Sequence, residues 1–111
     1  MKVYKGYRNH AETLVTVNDG DGARPLDLRL DLRNHSPDGF EWGYNGSGPA
    51  QLALALLADA IGDDRALELY QRFKFKVIGP LPQEQDWTLT EEQILQHVAD
   101  LEQEDLLTSE K

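Results

Sequence analysis

The chain divides by the period of its apolar positions. Residues 2–9 and 12–18 are short runs rich in Val, Tyr and Thr, residue types that suit a pleated, half-buried strand. Asn18-Asp19-Gly20-Asp21-Gly22 supplies turn chemistry after them. Leu26 to Arg33 then alternates leucine with charge without a break, which predicts a third strand with one buried face. A turn over residues 34–39 leads to Phe40-Glu41-Trp42-Gly43-Tyr44, read as a fourth strand. Four strands joined by short turns imply an antiparallel meander.

The second half changes period. From Ser47 to Ile61 the chain is apolar around most of a helical circumference, so this helix must be the centre of the core. Ser47 is the expected N-cap and Pro49 lies in the first turn, where its missing N–H costs nothing. Gln51, Ala55 and Asp59 fall on one narrow stripe, the edge expected to meet water. Gly62 ends the helix, and Asp63 or Asp64 caps another whose apolar face is Ala66, Leu67, Tyr70 and Phe73. Residues 72–77 alternate with period two, which suggests a switch to extended structure near Phe75; Gly79-Pro80-Leu81-Pro82 ends the element in any case. Trp87-Thr88-Leu89 is a short extended piece. Thr90-Glu91-Glu92-Gln93 is a capping box that launches a third helix facing inward through Ile94, Val98 and Leu101.

These elements predict an α+β domain over residues 1–105, an antiparallel three- to four-stranded sheet packed against two or three helices, with a frayed tail at 106–111. With 111 residues, 40% of them apolar, the chain can bury one core. It has no cysteine, which removes disulfides, thiolate metal sites and thiol nucleophiles. Its longest apolar run is far short of the ~20 residues of a membrane span, and no secretory leader pattern follows Met1. A cytoplasmic protein without membrane association is the expectation.

Charge is uneven. Residues 1–83 hold eleven acids against ten Lys and Arg, whereas residues 84–111 hold nine acids against Lys111 alone, so the net −9 is concentrated at one end. Glu102, Glu104 and Asp105 form the densest part and are the candidate docking residues for a basic protein partner. The strand-like face of Asp27, Arg29, Asp31 and Arg33 is a second candidate surface.

The glycine-rich turn before the central helix, Tyr44, Asn45, Gly46, Ser47 and Gly48, is the candidate ligand site. A helix N-terminus suits an anion. The Lys-Ser/Thr pair of a phosphate loop is replaced by Pro49-Ala50, however, and no G-x-G-x-x-G fingerprint is present. Asp19 and Asp21 begin like a calcium loop, but Ala23, Arg24 and Leu30 occupy places that need an oxygen ligand, glycine and glutamate. His10, His35 and His97 lack metal spacing. Asp59 is expected on the wet edge of its helix; if the strand face of Glu41 is covered, that carboxylate needs a partner, for which Arg29 or Arg33 across the sheet would serve. No acid/base pair, metal site or cofactor site is read. Arg72, Lys74 and Lys76 interleave with aromatics as in single-strand nucleic-acid binders, a reading ranked behind both others for want of a basic balance.

Phe40-Glu41-Trp42-Gly43-Tyr44 followed by Gly46-Ser47-Gly48-Pro49-Ala50-Gln51 and the apolar helix to Leu57 resembles a family signature, FEWGYxGSGPAQLALALL. Leu69-Tyr70-Gln71, Phe73-Lys74, Val77-Ile78, Leu81-Pro82, Trp87 and Leu89-Thr90 are similar to its later motifs, in order, over about Tyr4 to Val98. The family comprises small uncharacterised prokaryotic and phage proteins, catalogued as a domain of unknown function; Asn45 stands where glycine is expected. The resemblance implies no activity, cofactor or catalytic residue. The leading functional expectation is therefore a non-enzymatic protein-binding or regulatory module, with a small-ligand or phosphate binder at the glycine turn, enzymes included, as the alternative. Homo-oligomerisation is left open.

Overall fold

A computed structural model describes residues 1–109, with side chains through residue 106. The architecture is α+β, a four-stranded antiparallel sheet under three helices. Strands β1 (Val3–Asn9) and β2 (Glu12–Asn18) form a hairpin in which Asn9 faces Glu12. The loop of His10 and Ala11 closes it, with His10 at φ 56°. Strand β3 (Ala23–Pro25) pairs with β2, and β4 (Trp87–Thr90) pairs with β1, giving the order β3-β2-β1-β4. One sheet face carries Tyr4, Val15, Val17, Trp87 and Leu89 into the core. The other faces away from the helices.

Two of the four strands are not where alternation puts them. Leu26 to Arg33 is not a strand: after Leu26 donates its N–H to Val15 O (2.9 Å) the chain leaves the sheet. The Asp27 carboxylate accepts the Arg29 N–H at 2.7 Å, Arg29 takes φ 56°, and Leu32 N–H closes onto Arg29 O. Short Asp side chains compete in this way with a ladder. Leu26 is buried and Leu28 and Leu32 pack on the core, while Leu30 is exposed. Phe40 to Tyr44 forms no ladder, and of its aromatics Phe40 and Trp42 are buried while Tyr44 is exposed. Phe40 O accepts the Thr13 hydroxyl, and the Trp42 indole donates to Gln85 O.

Helix α1 (Ser47–Ile61) is buried without interruption from Gly48 to Ala58. Of its expected wet stripe, Gln51 and Ala55 are fully buried and Asp59 is largely covered. The Gln51 amide does work that the irregular segment before it requires: Oε1 accepts the His35 and Ser36 N–H groups, and Nε2 donates to Leu28 O and Arg33 O. One glutamine thus satisfies four backbone groups that no strand partner reaches. Gly62 (φ 95°) ends α1 and occupies the cap position of α2 (Asp63–Phe73), a place expected for Asp63 or Asp64. Asp63 pairs instead with Arg29.

Beyond Phe73 the chain does not become extended. It continues as a π-helical turn, Lys74–Ile78, closed by Gly79 N–H on Lys74 O at 2.8 Å. Phe73 with Val77 and Lys74 with Ile78 are buried four residues apart, a helical spacing that overrides the period-two impression. Helix α3 (Glu91–Ser109) follows β4 directly. Its capping box forms as expected, with Thr90 N–H on Gln93 Oε1 (2.9 Å) and Gln93 N–H on Thr90 Oγ1 (3.1 Å). The helix runs past Asp105, and residues 110–111 of the expected tail lie outside the described residues. Among the described residues no helix is long and apolar enough to cross a membrane.

Opposite Gly6 in β1 lies Trp87, whose indole covers the glycine and packs edge-on against Trp42 at 5.7 Å. A Cβ on Gly6 would sit 2.2 Å from Trp87 Nε1. Gly6→Ala is expected to displace the indole and destabilise the domain by about 2 kcal/mol in urea unfolding. Gln51→Leu, which strands two N–H groups and two carbonyls in the core, should cost about 3 kcal/mol or more. An unchanged midpoint for either variant would contradict the packing described.

Candidate functional site

The glycine-rich turn is a close-packed junction. Trp42 is fully buried, and the Arg8 guanidinium lies 4.8 Å from its ring centre. Arg8 holds the Glu41 carboxylate in a two-point ion pair and donates through Nε to Gln83 O (3.1 Å). Arg29 and Arg33, the partners that would serve a covered Glu41 on a strand, lie in an irregular turn, and Arg8 of the first hairpin takes that role. Asp86 accepts the Arg8 N–H at 2.7 Å and so closes the end of the sheet edge beyond β4.

From this junction Gly43 turns at φ 88° and donates its N–H to Ile78 O at 3.1 Å, with Gln83 where a Cβ would stand. Gly48 is just as constrained, since a Cβ there would meet Glu41 Cβ at 2.6 Å. Asn45 sets its side-chain oxygen against Gly79 of the π-helical turn. The cap position of α1 is held by Gly46, whose carbonyl accepts the Ala50 N–H at 3.0 Å, and no side chain caps the helix. Ser47, expected as the N-cap, is instead the first helical residue. Tyr44, Asn45 and Ser47 are exposed, Gly46 is intermediate, and Gly48 is buried.

The acidic end of α3 lies against basic side chains of α2 and the π-helical turn. Glu102 pairs with Arg65 (2.9 Å), Glu104 with Lys76 (2.8 Å), and Asp105 accepts both terminal nitrogens of Arg72. Two surfaces singled out separately in the sequence therefore face each other. The third basic residue, Lys74, is buried except for about a tenth of its surface and stands over the Phe75 ring at 4.3 Å. Phe75 itself is 57% exposed. With Arg72, Lys76, Leu101 and Glu104 it lines a cleft of about 370 Å³. The paired side chains remain one-third to three-fifths exposed, so water screens each pair and makes it exchangeable.

Two further places hold polar groups. A hollow of about 400 Å³ lies between the β1–β2 loop and residues 36–41, where the hydroxyls of Thr13 and Ser36 are bonded to Phe40 O and Gly39 O. Asp59, expected in water, is only 18% exposed at its side chain. It accepts the Tyr4 hydroxyl at 2.6 Å and Lys2 Nζ at 3.2 Å, with Arg24 at 3.5 Å. Burial alone pushes the Asp59 carboxyl up, but the Tyr4 and Lys2 hydrogen bonds and the Lys2 and Arg24 charges together outweigh it and hold the group below its usual value. Burial, and then the bond to Asp59, raises the Tyr4 phenol far above its usual value. Sequence reasoning missed this cluster because its members come from β1 and the residue before it, β3 and α1. The one usable signal was a carboxylate within an otherwise apolar helix.

The fold and these sites define a two-layer α+β domain of small size. The chain belongs to a family of unknown function, DUF6166, whose model matches residues 4–100. No curated protein and no solved structure matches it.

The depressed Asp59 carboxyl sets an acid-side test. Its stabilising contribution is complete above the usual carboxylate range and is lost as pH falls below about 4. Asp59→Asn should therefore be less stable than the native chain at neutral pH and lose less stability on acidification through that range. Thermal melts of both proteins across the acid range check this; parallel curves would contradict it.

Proposed function

We propose that this domain is a protein-binding module that docks a basic chain segment on the ridge formed by the C-terminal half of α3 and Phe75. The observation that carries the reading is the position of Phe75. The π-helical turn buries Val77 and Ile78 and leaves the Phe75 ring at the rim of the cleft, beside Glu104. Asp105 stands close by on Arg72. An apolar ring next to exchangeable carboxylates suits a segment that presents Lys or Arg beside an apolar side chain. Exchange of one cation for another on exposed carboxylates costs little. The concentration of acids in residues 84–111 adds a field that draws basic segments to this end of the molecule.

The test is selection of a random displayed-peptide library on the immobilised full chain. Selected peptides should combine Lys or Arg with apolar residues. They should bind at least about tenfold more weakly to Phe75→Ser and to the Glu104→Gln, Asp105→Asn double variant, and should release as salt rises. Both variants alter exposed positions, so folding is preserved. Peptides that bind these variants as well as the native chain would overturn the proposal. Peptides whose binding depends on Tyr44 or Asn45 would move the function to the glycine turn.

A further inference from the structure

The outer face of the sheet is uncovered, and its side chains follow an order with a consequence for self-association. Successive cross-strand pairs of β1 and β2 on this face are Val3 with Asn18, Lys5 with Thr16, Tyr7 with Leu14, and Asn9 with Glu12. Tyr7 and Leu14 are 42% and 50% exposed, so an apolar pair occupies the middle of the hairpin. Lys5 lies one pair to one side of it and Glu12 one pair to the other. The neighbouring strands add Ala23 and Pro25, in register with Asn18 and Thr16, and Thr88 and Thr90, in register with Lys5 and Val3. Lys5 and Glu12 are therefore the charged residues of this face among the described strands, one of each sign and equidistant from an apolar centre.

That order is self-complementary. A two-fold axis through the Tyr7–Leu14 pair lays the face on a second copy of itself with strand directions reversed. The apolar pairs then stack, and each Lys5 comes over the Asn9–Glu12 end of the other hairpin. In that arrangement the hairpin end would lie over a hollow of about 360 Å³ lined by Met1, Val3, Lys5 and Thr16. The sheet edges favour the face over edge pairing. Strand β3 has three residues and ends in Pro25, while β4 has four residues and its Thr90 N–H is held by Gln93.

We propose that the outer sheet face is a homodimer interface with a second copy of this chain as its occupant, its register set by reciprocal Lys5–Glu12 pairs around the Tyr7–Leu14 centre. Seven-residue strands rise about 23 Å and four strands span about 19 Å at most. That footprint is small for a specific interface, so the equilibrium is expected in the micromolar range.

Sedimentation equilibrium of the full chain, from micromolar to millimolar concentration, reads it. The native chain should pass from monomer to dimer. Lys5→Glu and Glu12→Lys should each weaken association by about tenfold, because each places like charges together. The double variant Lys5→Glu, Glu12→Lys should restore it to within about threefold of native. Leu14→Ser should weaken it without any dependence on charge. Circular dichroism of each variant at dilution confirms that the monomer is folded. A native chain that stays monomeric overturns the proposal, as does a dimer indifferent to either single variant or a double variant that fails to recover.

Discussion

Helix α1 has no wet side between Gly48 and Ala58, and the rest of the molecule is arranged to cover it. The sheet closes one flank, and α2, the π-helical turn and α3 close others. The remaining cover is the irregular segment between β3 and α1, which has no ladder to hold its backbone. Gln51 supplies what is missing, from within the helix being covered. An amide in that position accepts from two N–H groups and donates to two carbonyls, so the polar demand of a loop laid on an apolar helix is met by one side chain. A carboxylate or an alkyl chain of similar size has half of that capacity or none.

The same dependence explains which parts of the architecture were legible in the sequence. The first hairpin, the central helix and the capping box were readable because their determinants lie within a few residues of one another. Leu26 to Arg33 was misread for an instructive reason. Its alternation is real and turns Leu26, Leu28 and Leu32 inward but not Leu30; Asp27 and Arg29 bond locally, and the buried partner of the segment is a glutamine some twenty residues away. The alternation after Arg72 misled in the opposite sense, because Phe73 with Val77 and Lys74 with Ile78 satisfy a helical spacing once the helix widens by one residue. Gln51 and Asp59 were placed at a wet edge because a polar stripe on a helix normally marks one. Here both are held by partners from other elements.

Charge tells a related story. The sequence shows an acidic end and, separately, a basic aromatic run, and no spacing rule connects them. Packing of α3 beside α2 and the π-helical turn brings Glu102, Glu104 and Asp105 onto Arg65, Lys76 and Arg72. The ridge that results carries both signs, with an exposed ring between them. Its chemistry belongs to neither segment alone, so no single stretch of the chain reveals it. The glycine turn likewise owes its composition to close approach: Glu41 and Gln83 stand where side chains on Gly48 and Gly43 would be.

Strand β4 ends at Thr90 and α3 begins at Glu91, with no residue between them. The capping box locks that joint, and the Glu91 N–H is bonded across to Lys2 O. Helix and edge strand therefore behave as one rigid member with no slack to absorb displacement. A shift of α3 is passed to the sheet edge at Thr90, with no loop between them to take it up.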